Sequence, residues 1–108
     1  MSGHITAGDL TKVLASPTPP HLLDVREVDE HTFVSLTGSK LVPLGQLVER
    51  ADEIAPWRDE PVVVYCHHGM RSQHAIALLR RLGFTQLTNL TGGIDAWALE
   101  VDATMRRY

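Results

Sequence analysis

One cysteine, 6% aromatic residues, no long apolar run and no surplus of positive charge mark this 108-residue sequence, and each shortage excludes something. The lone Cys66 rules out an internal disulfide and any zinc site built from several cysteines, and it suits a reducing compartment. No stretch approaches the roughly 18 apolar residues that cross a bilayer, and Met1 to Leu10 lack a basic segment followed by an apolar one. The expected location is therefore cytoplasmic. With 10 Lys plus Arg against 13 Asp plus Glu the net charge is -3, which supplies no field to hold the chain on a phosphate backbone or an anionic lipid surface. Neither nucleic acid nor membrane is an expected partner.

What remains is ordinary globular material. The chain is 44% hydrophobic and 21% charged, and its 8 glycines and 6 prolines are too few for a low-complexity or collagen-like segment. A chain this long buries about two-thirds of its surface without help from disulfides or metal, so residues 1–108 read as a single domain.

Along the chain, Thr6 and Asp9 resemble a capping box ahead of Leu10, Val13 and Leu14, which keep helical spacing until Ser16-Pro17. Leu22-Leu23-Asp24-Val25 reads as a buried strand, Asp29 to Phe33 as a turn of helix, and Leu41-Val42-Pro43 as a short edge strand. Leu44, Leu47, Val48, Ala51 and Ile54 predict a further helix to about Ala55. The strongest signal is Pro61-Val62-Val63-Val64-Tyr65-Cys66, a β-branched run without alternation, as expected of a parallel strand covered on both faces. Ala75, Ile76, Leu79 and Leu82 then line one face of a helix from about Ser72 that stops at Gly83. Gln86 to Leu90 alternates like a strand, and Ile94 to Leu99 reads as a short last helix, with Trp57 and Trp97 as packing anchors. Strands alternating with helices predict an α/β three-layer sandwich with a mostly parallel sheet, whose ligands bind beyond the carboxyl ends of the strands.

Cys66 falls at such an end. The residues His67-His68-Gly69-Met70-Arg71 must reverse the chain before the helix, which points backbone N–H groups inward, adds the helix dipole and lets Arg71 add a full charge. That setting favours a nucleophilic thiolate. The plain alternative is a small buried hydrophobe at a strand end.

In order along the chain, LLDVRE (22–27), VPL (42–44), VVVYCHHGMRS (62–72), LRRLGF (79–84) and LTGGIDAW (90–97) resemble the rhodanese-like sulfurtransferase family over nearly the whole chain. The resemblance implies a five-stranded rhodanese α/β fold, with Cys66 carrying a transferable sulfur as a persulfide. It implies a persulfide loop of His67, His68, Gly69, Met70, Arg71 and Ser72, and ping-pong chemistry without metal or organic cofactor. Thiolate would take the outer sulfur of a small donor, thiosulfate or a persulfide, and pass it to a thiophilic acceptor. Arg71 would steer the anionic donor. Asp24 would brace the loop through hydrogen bonds, and Arg26 would line the pocket or pair with a local carboxylate. His67 and His68 would tune access, since adjacent histidines on a tight loop do not easily aim at one zinc ion; His4, His21 and His31 read as surface residues. Ser35-Leu36-Thr37-Gly38-Ser39 departs from the family's Gly-His-Ile-Pro-Gly-Ala segment. The end of the chain, Ile94 to Tyr108, is similar to rhodanese domains fused to E1-like adenylyltransferases, which points to such an enzyme or a sulfur-carrier protein as partner.

Two other functions fit the same architecture. Cysteine phosphatases and arsenate reductases use Cys-x5-Arg, whereas Arg71 follows Cys66 after only 4 residues, giving a smaller cradle. A catalytically silent binding or regulatory module would ordinarily lack the cysteine that this chain retains.

Overall fold

The computed structural model describes residues 3–108; Met1 and Ser2, part of the segment searched for a leader, lie outside the described residues. The elements are β1 (His4–Ile5), α1 (Ala7–Leu14), β2 (His21–Asp24), α2 (Val28–Phe33), β3 (Lys40–Leu41), β4 (Val62–Tyr65), α3 (Met70–Arg81), β5 (Leu87–Leu90) and α4 (Gly93–Glu100). The strands form one sheet in the order β1-β5-β4-β2-β3, with every pairing parallel. The β-branched run is its centre: all of Val62–Tyr65 is buried.

Strand alternation sorts the core into two layers. Val62, Val64 and Cys66 face Ala75, Ile76 and Leu79 of α3, whereas Val63 and Tyr65 face Ala7 and Leu10 of α1 and Ile94 of α4. The chain leaves β2 outward to β3 and leaves β4 outward to β5, so the crevice between β2 and β4 is the topological switch point. Cys66 and Val25–Arg26, which follow these strands, sit at its mouth.

Most predicted elements are present with ends shifted by one or two residues. Thr6 caps α1 by accepting from the Asp9 N–H at 3.1 Å. The exception is the predicted helix after Pro43, which is instead two 3-10 segments, Leu44–Gln46 and Ala51–Trp57, the second containing Pro56. Leu47 and Ile54 are fully buried while Val48 is 62% exposed, so the apolar stripe is not continuous. Gly45 weakens a regular helix, and burying single anchors suffices for tight i,i+3 turns.

Tyr65 shapes the divergent segment at 35–39. Its fully buried hydroxyl accepts from the Leu36 N–H at 3.1 Å and lies 2.8 Å from the Ser39 hydroxyl. Burial, reinforced by the Asp24 charge, pushes the phenol up from 10.0 to about 12. The phenol therefore contributes stability that is complete below its unfolded pKa of 10.0 and lost as pH rises toward about 12. Tyr65→Phe should cost about 1–2 kcal/mol in urea melts at neutral pH, because the Leu36 N–H is left unpaired. It should also remove that alkaline loss of stability; a variant as stable as the parent at pH 7 counts against the anchor.

Candidate active site

The helix after Cys66 begins at Met70, two residues earlier than its apolar face predicts, so Met70 and Arg71 belong to the first turn of α3. The turn itself is 66–69. Gly69 makes it with φ of +112°, a left-handed conformation that disfavours side chains; a Cβ there would meet only ordinary contacts at 3.6 Å. Conformation, not crowding, explains this glycine.

That turn brings the Gly69 N–H to 3.0 Å from Cys66 Sγ. Cys66 is 1% exposed and packs with apolar neighbours on the α3 side, yet the polar company of its sulfur is specific. The Cys66 thiol approaches the Ser72 hydroxyl at 3.5 Å. Ser72 is itself fully buried, 3.1 Å from the Gly69 carbonyl and bonded to the Asn89 side-chain oxygen on β5. Asn89 went unnoticed in the sequence; its only signal is a buried amide between the buried Leu87 and Leu90 of its strand. On the other side, the Ile94 N–H donates to the Cys66 carbonyl at 2.9 Å and the Asp95 N–H to the His67 carbonyl at 3.1 Å, so the start of α4 clamps the turn.

Arg71 does not extend freely over the sulfur. Its guanidinium makes a two-pronged pair with Glu30 of α2, at 2.6 and 2.8 Å. Glu30 also accepts from the Tyr108 hydroxyl at 2.8 Å. The Arg71 hydrogen bonds hold its carboxyl down at about 2 against the opposing effect of burial. Neither Glu30 nor Tyr108 stood out in the sequence, because nothing local marks a pair 41 residues apart.

Of the supporting residues, Asp24 departs from its expected role and Arg26 follows one of the two given for it. Asp24 does not brace the turn by hydrogen bonds: its carboxylate accepts from the Arg26 backbone N–H at 2.9 Å and from the Arg26 guanidinium at 2.9 and 2.7 Å. Arg26 takes the second of its two expected roles, the pair with a local carboxylate, and does not line the pocket. It is fully buried, and it also donates to the Val34 carbonyl at 2.6 Å and to the Tyr108 hydroxyl at 2.7 Å. A charge at a buried strand end must be paired on the spot, and the nearest opposite charge is its own neighbour in sequence.

His31 is not a free surface residue either; its Nδ1 lies 2.8 Å from Asp24 Oδ2. His21 stacks on Trp57 with ring centroids 4.3 Å apart and bonds to Glu60 at 2.6 Å. His67 is sandwiched between His68 and Tyr108, with centroids 3.9 Å away on each side. Burial, then the neighbouring His68, lower the pKa of His67, which keeps it neutral near pH 7. The two histidines share a neighbour, Asp95, with one ligand atom of each within 4.8 Å of the others. Adjacency therefore does not keep the two imidazoles apart, contrary to the sequence argument; Asp95 is meanwhile held by Arg107 at 3.0 Å. Met70 stands out at the rim, 77% exposed.

A rhodanese-like domain model matches residues 6–100. The chain is 39% identical over 82 residues to the uncharacterized protein YqhL of Bacillus subtilis, covering 76% of this chain and 64% of that protein. It is 35% identical over 118 residues to the adenylyltransferase and sulfurtransferase MOCS3 of Oryza sativa subsp. japonica, covering 99% of this chain but only 26% of the relative. The human single-domain sulfurtransferase TSTD1 superposes with a TM-score of 0.79 at 25% identity, covering 93% of this chain and 98% of that one. No helix among the described residues is long and apolar enough to cross a membrane.

Proposed function

The chain belongs to the rhodanese-like domain family, and on that premise we propose that it is a sulfurtransferase whose Cys66 carries the sulfur as a persulfide. The thiolate attacks the outer sulfur of a donor such as thiosulfate, the S–S bond of the donor breaks, and sulfite leaves with the electron pair. A thiophilic acceptor then removes the terminal sulfur and regenerates the thiolate. No metal or organic cofactor enters either half-reaction.

The observation that carries this reading is the Gly69 N–H, 3.0 Å from Sγ. A main-chain donor fixed by a left-handed glycine costs nothing to orient during reaction and favours negative charge on Sγ in the attacking thiolate. The Ser72 hydroxyl, 3.5 Å away, can turn its proton to the same sulfur once the thiol has ionised. A silent binding module has no use for a thiol so placed. The short spacing from Cys66 to Arg71, together with the Arg71–Glu30 pair, also argues against a phosphatase cradle, which needs its arginine on the oxyanion. The name of MOCS3 favours an adenylyltransferase as the partner in transfer, the likeness of the segment from Ile94 to Tyr108 adds a sulfur-carrier protein, and a cytoplasmic location with residues 1–108 as one domain fits the same reading.

The test is direct. After incubation with thiosulfate or an organic persulfide, mass spectrometry of the peptide containing Cys66 should show one added sulfur, absent from Cys66→Ala. If neither donor loads the wild-type cysteine, the proposal fails; hydrolysis of an aryl phosphate in place of loading would move it to the phosphatase.

A further inference from the structure

Charge around the Cys66 turn is cancelled arginine by arginine. Arg71 is paired with Glu30 at 2.6 Å, Arg26 with Asp24 at 2.7 Å and Arg107 with Asp95 at 3.0 Å. The imidazole of His67 is neutral near pH 7, and the exposed His68 sits 3.7 Å from Asp95. Two hollows flank the Glu30 side of the rim, one of about 280 Å³ lined by Asp29, Glu30, Phe33 and Tyr108 and one of about 790 Å³. Between them they present the carboxylates of Glu27, Asp29 and Glu30 against the guanidinium of Arg106, which lies over the Phe33 ring at 5.3 Å. The surface on the Glu30 side of the turn is thus neutral to acidic.

We propose that Glu30 sets the donor specificity of this site: by cancelling Arg71 at the rim it turns the site against dianionic thiosulfate and toward an organic or protein-bound persulfide. The proposal rests on the Cys66 persulfide reading and names its donor class. Thiosulfate must bring two negative charges up to a thiolate, and an unpaired cation at the rim would offset that repulsion over a longer range than the backbone N–H groups do. A hydropersulfide, R–S–SH, brings none in its protonated form. Thiolate attack on its outer sulfur breaks the S–S bond, the leaving thiolate takes the proton from the transferred sulfur, and the products are the Cys66 persulfide anion and R–SH. Charge and atoms balance without an oxidant or reductant.

The carboxylate is built to stay ionised. It accepts from Arg71, from Tyr108 and from the Glu27 N–H at 3.0 Å, and it titrates at about 2, far below any working pH. The cancellation is therefore permanent, and the Tyr108 hydroxyl, itself held by Arg26, fixes its geometry.

Glu30→Gln tests this with little structural change, since glutamine at this helix position still accepts from the Glu27 N–H. The readout is the ratio of kcat/KM for thiosulfate to kcat/KM for the hydropersulfide of 2-mercaptoethanol. That ratio should rise about tenfold or more in Glu30→Gln, and Glu30→Gln with Arg71→Gln should erase the gain. A ratio within about twofold of wild type, or a gain that survives in the double variant, overturns the proposal. A measurement on the unmodified protein stands beside it should the variant fold poorly: thiosulfate kcat/KM should hold or rise with added KCl, as screening weakens the repulsion between dianion and thiolate, and a steep fall would reveal an uncompensated cation and overturn it as well. If neither donor loads wild-type Cys66, it is the persulfide reading that has failed.

Discussion

Gly93→Ala is expected to lose about 3 kcal/mol or more of stability and to slow sulfur loading of Cys66 by about tenfold or more. Gly93 opens α4 with φ of +63°, and a Cβ built on it runs into the carbonyl oxygens of Cys66 and His67 and the carbonyl carbon of His67. These are backbone atoms, so no flexible side chain can yield. The left-handed conformation alone costs a residue with a Cβ roughly 1–2 kcal/mol, and overpacking adds about 1–3 kcal/mol. Relief requires the start of α4 to retreat, which stretches the Ile94 and Asp95 N–H bonds onto the Cys66 and His67 carbonyls. The sulfur then shifts against the Gly69 N–H, so stability and chemistry fall together. Urea midpoints and loading rates measure both, with Gly8→Ala as control: that glycine lies in α1 with nothing within 4 Å of its Cβ, and alanine there should stabilise by up to about 1 kcal/mol. A Gly93→Ala protein that melts and loads like its parent would show that the turn is not clamped from α4.

The parts of the site legible in the sequence are those written locally. Val62 to Tyr65 announces a strand covered on both faces, Gly69 announces a turn, and Ala75, Ile76 and Leu79 announce the helix face that packs against it. Each signal lies within a dozen residues and obeys a single period. The unread parts are pairings without periodicity. Glu30 meets Arg71, Ser72 meets Asn89 and Tyr108 meets both His67 and Glu30 only because the sheet order brings α2, α3, β5 and the last residues to one end. The segment after Pro43 fails for the opposite reason. Its apolar residues mimic a helical period, but the core takes Leu47, Ala51 and Ile54 from it as separate anchors, with Leu44 and Trp57 half-buried against them, and leaves Val48 in solvent. Asp24 and Arg26 were read as site residues because they end a strand beside Cys66; their placement holds, while their bonds turn inward to each other.

That inward turn sets the cost of breaking them. Asp24→Asn keeps the shape of the side chain and removes its charge, leaving the Arg26 guanidinium unpaired at a position where both side chains have 0% exposure. The expected loss is about 3–5 kcal/mol in urea denaturation, a large share of the stability of a small domain. Replacing both partners, Asp24→Asn with Arg26→Met, removes the stranded charge and should recover part of this. Recovery stops about 2 kcal/mol short of wild type, because the Val34 carbonyl and the Tyr108 hydroxyl lose the donors they take from Arg26. A simple buried ion pair would behave differently, since apolar replacement of both partners is often neutral or stabilising. The double variant thus separates two roles. Full recovery would make the pair a mutual cancellation of charge, whereas partial recovery would make Arg26 the bracket that ties β2 to the segment after α2 and, through Tyr108, to the Glu30–Arg71 rim.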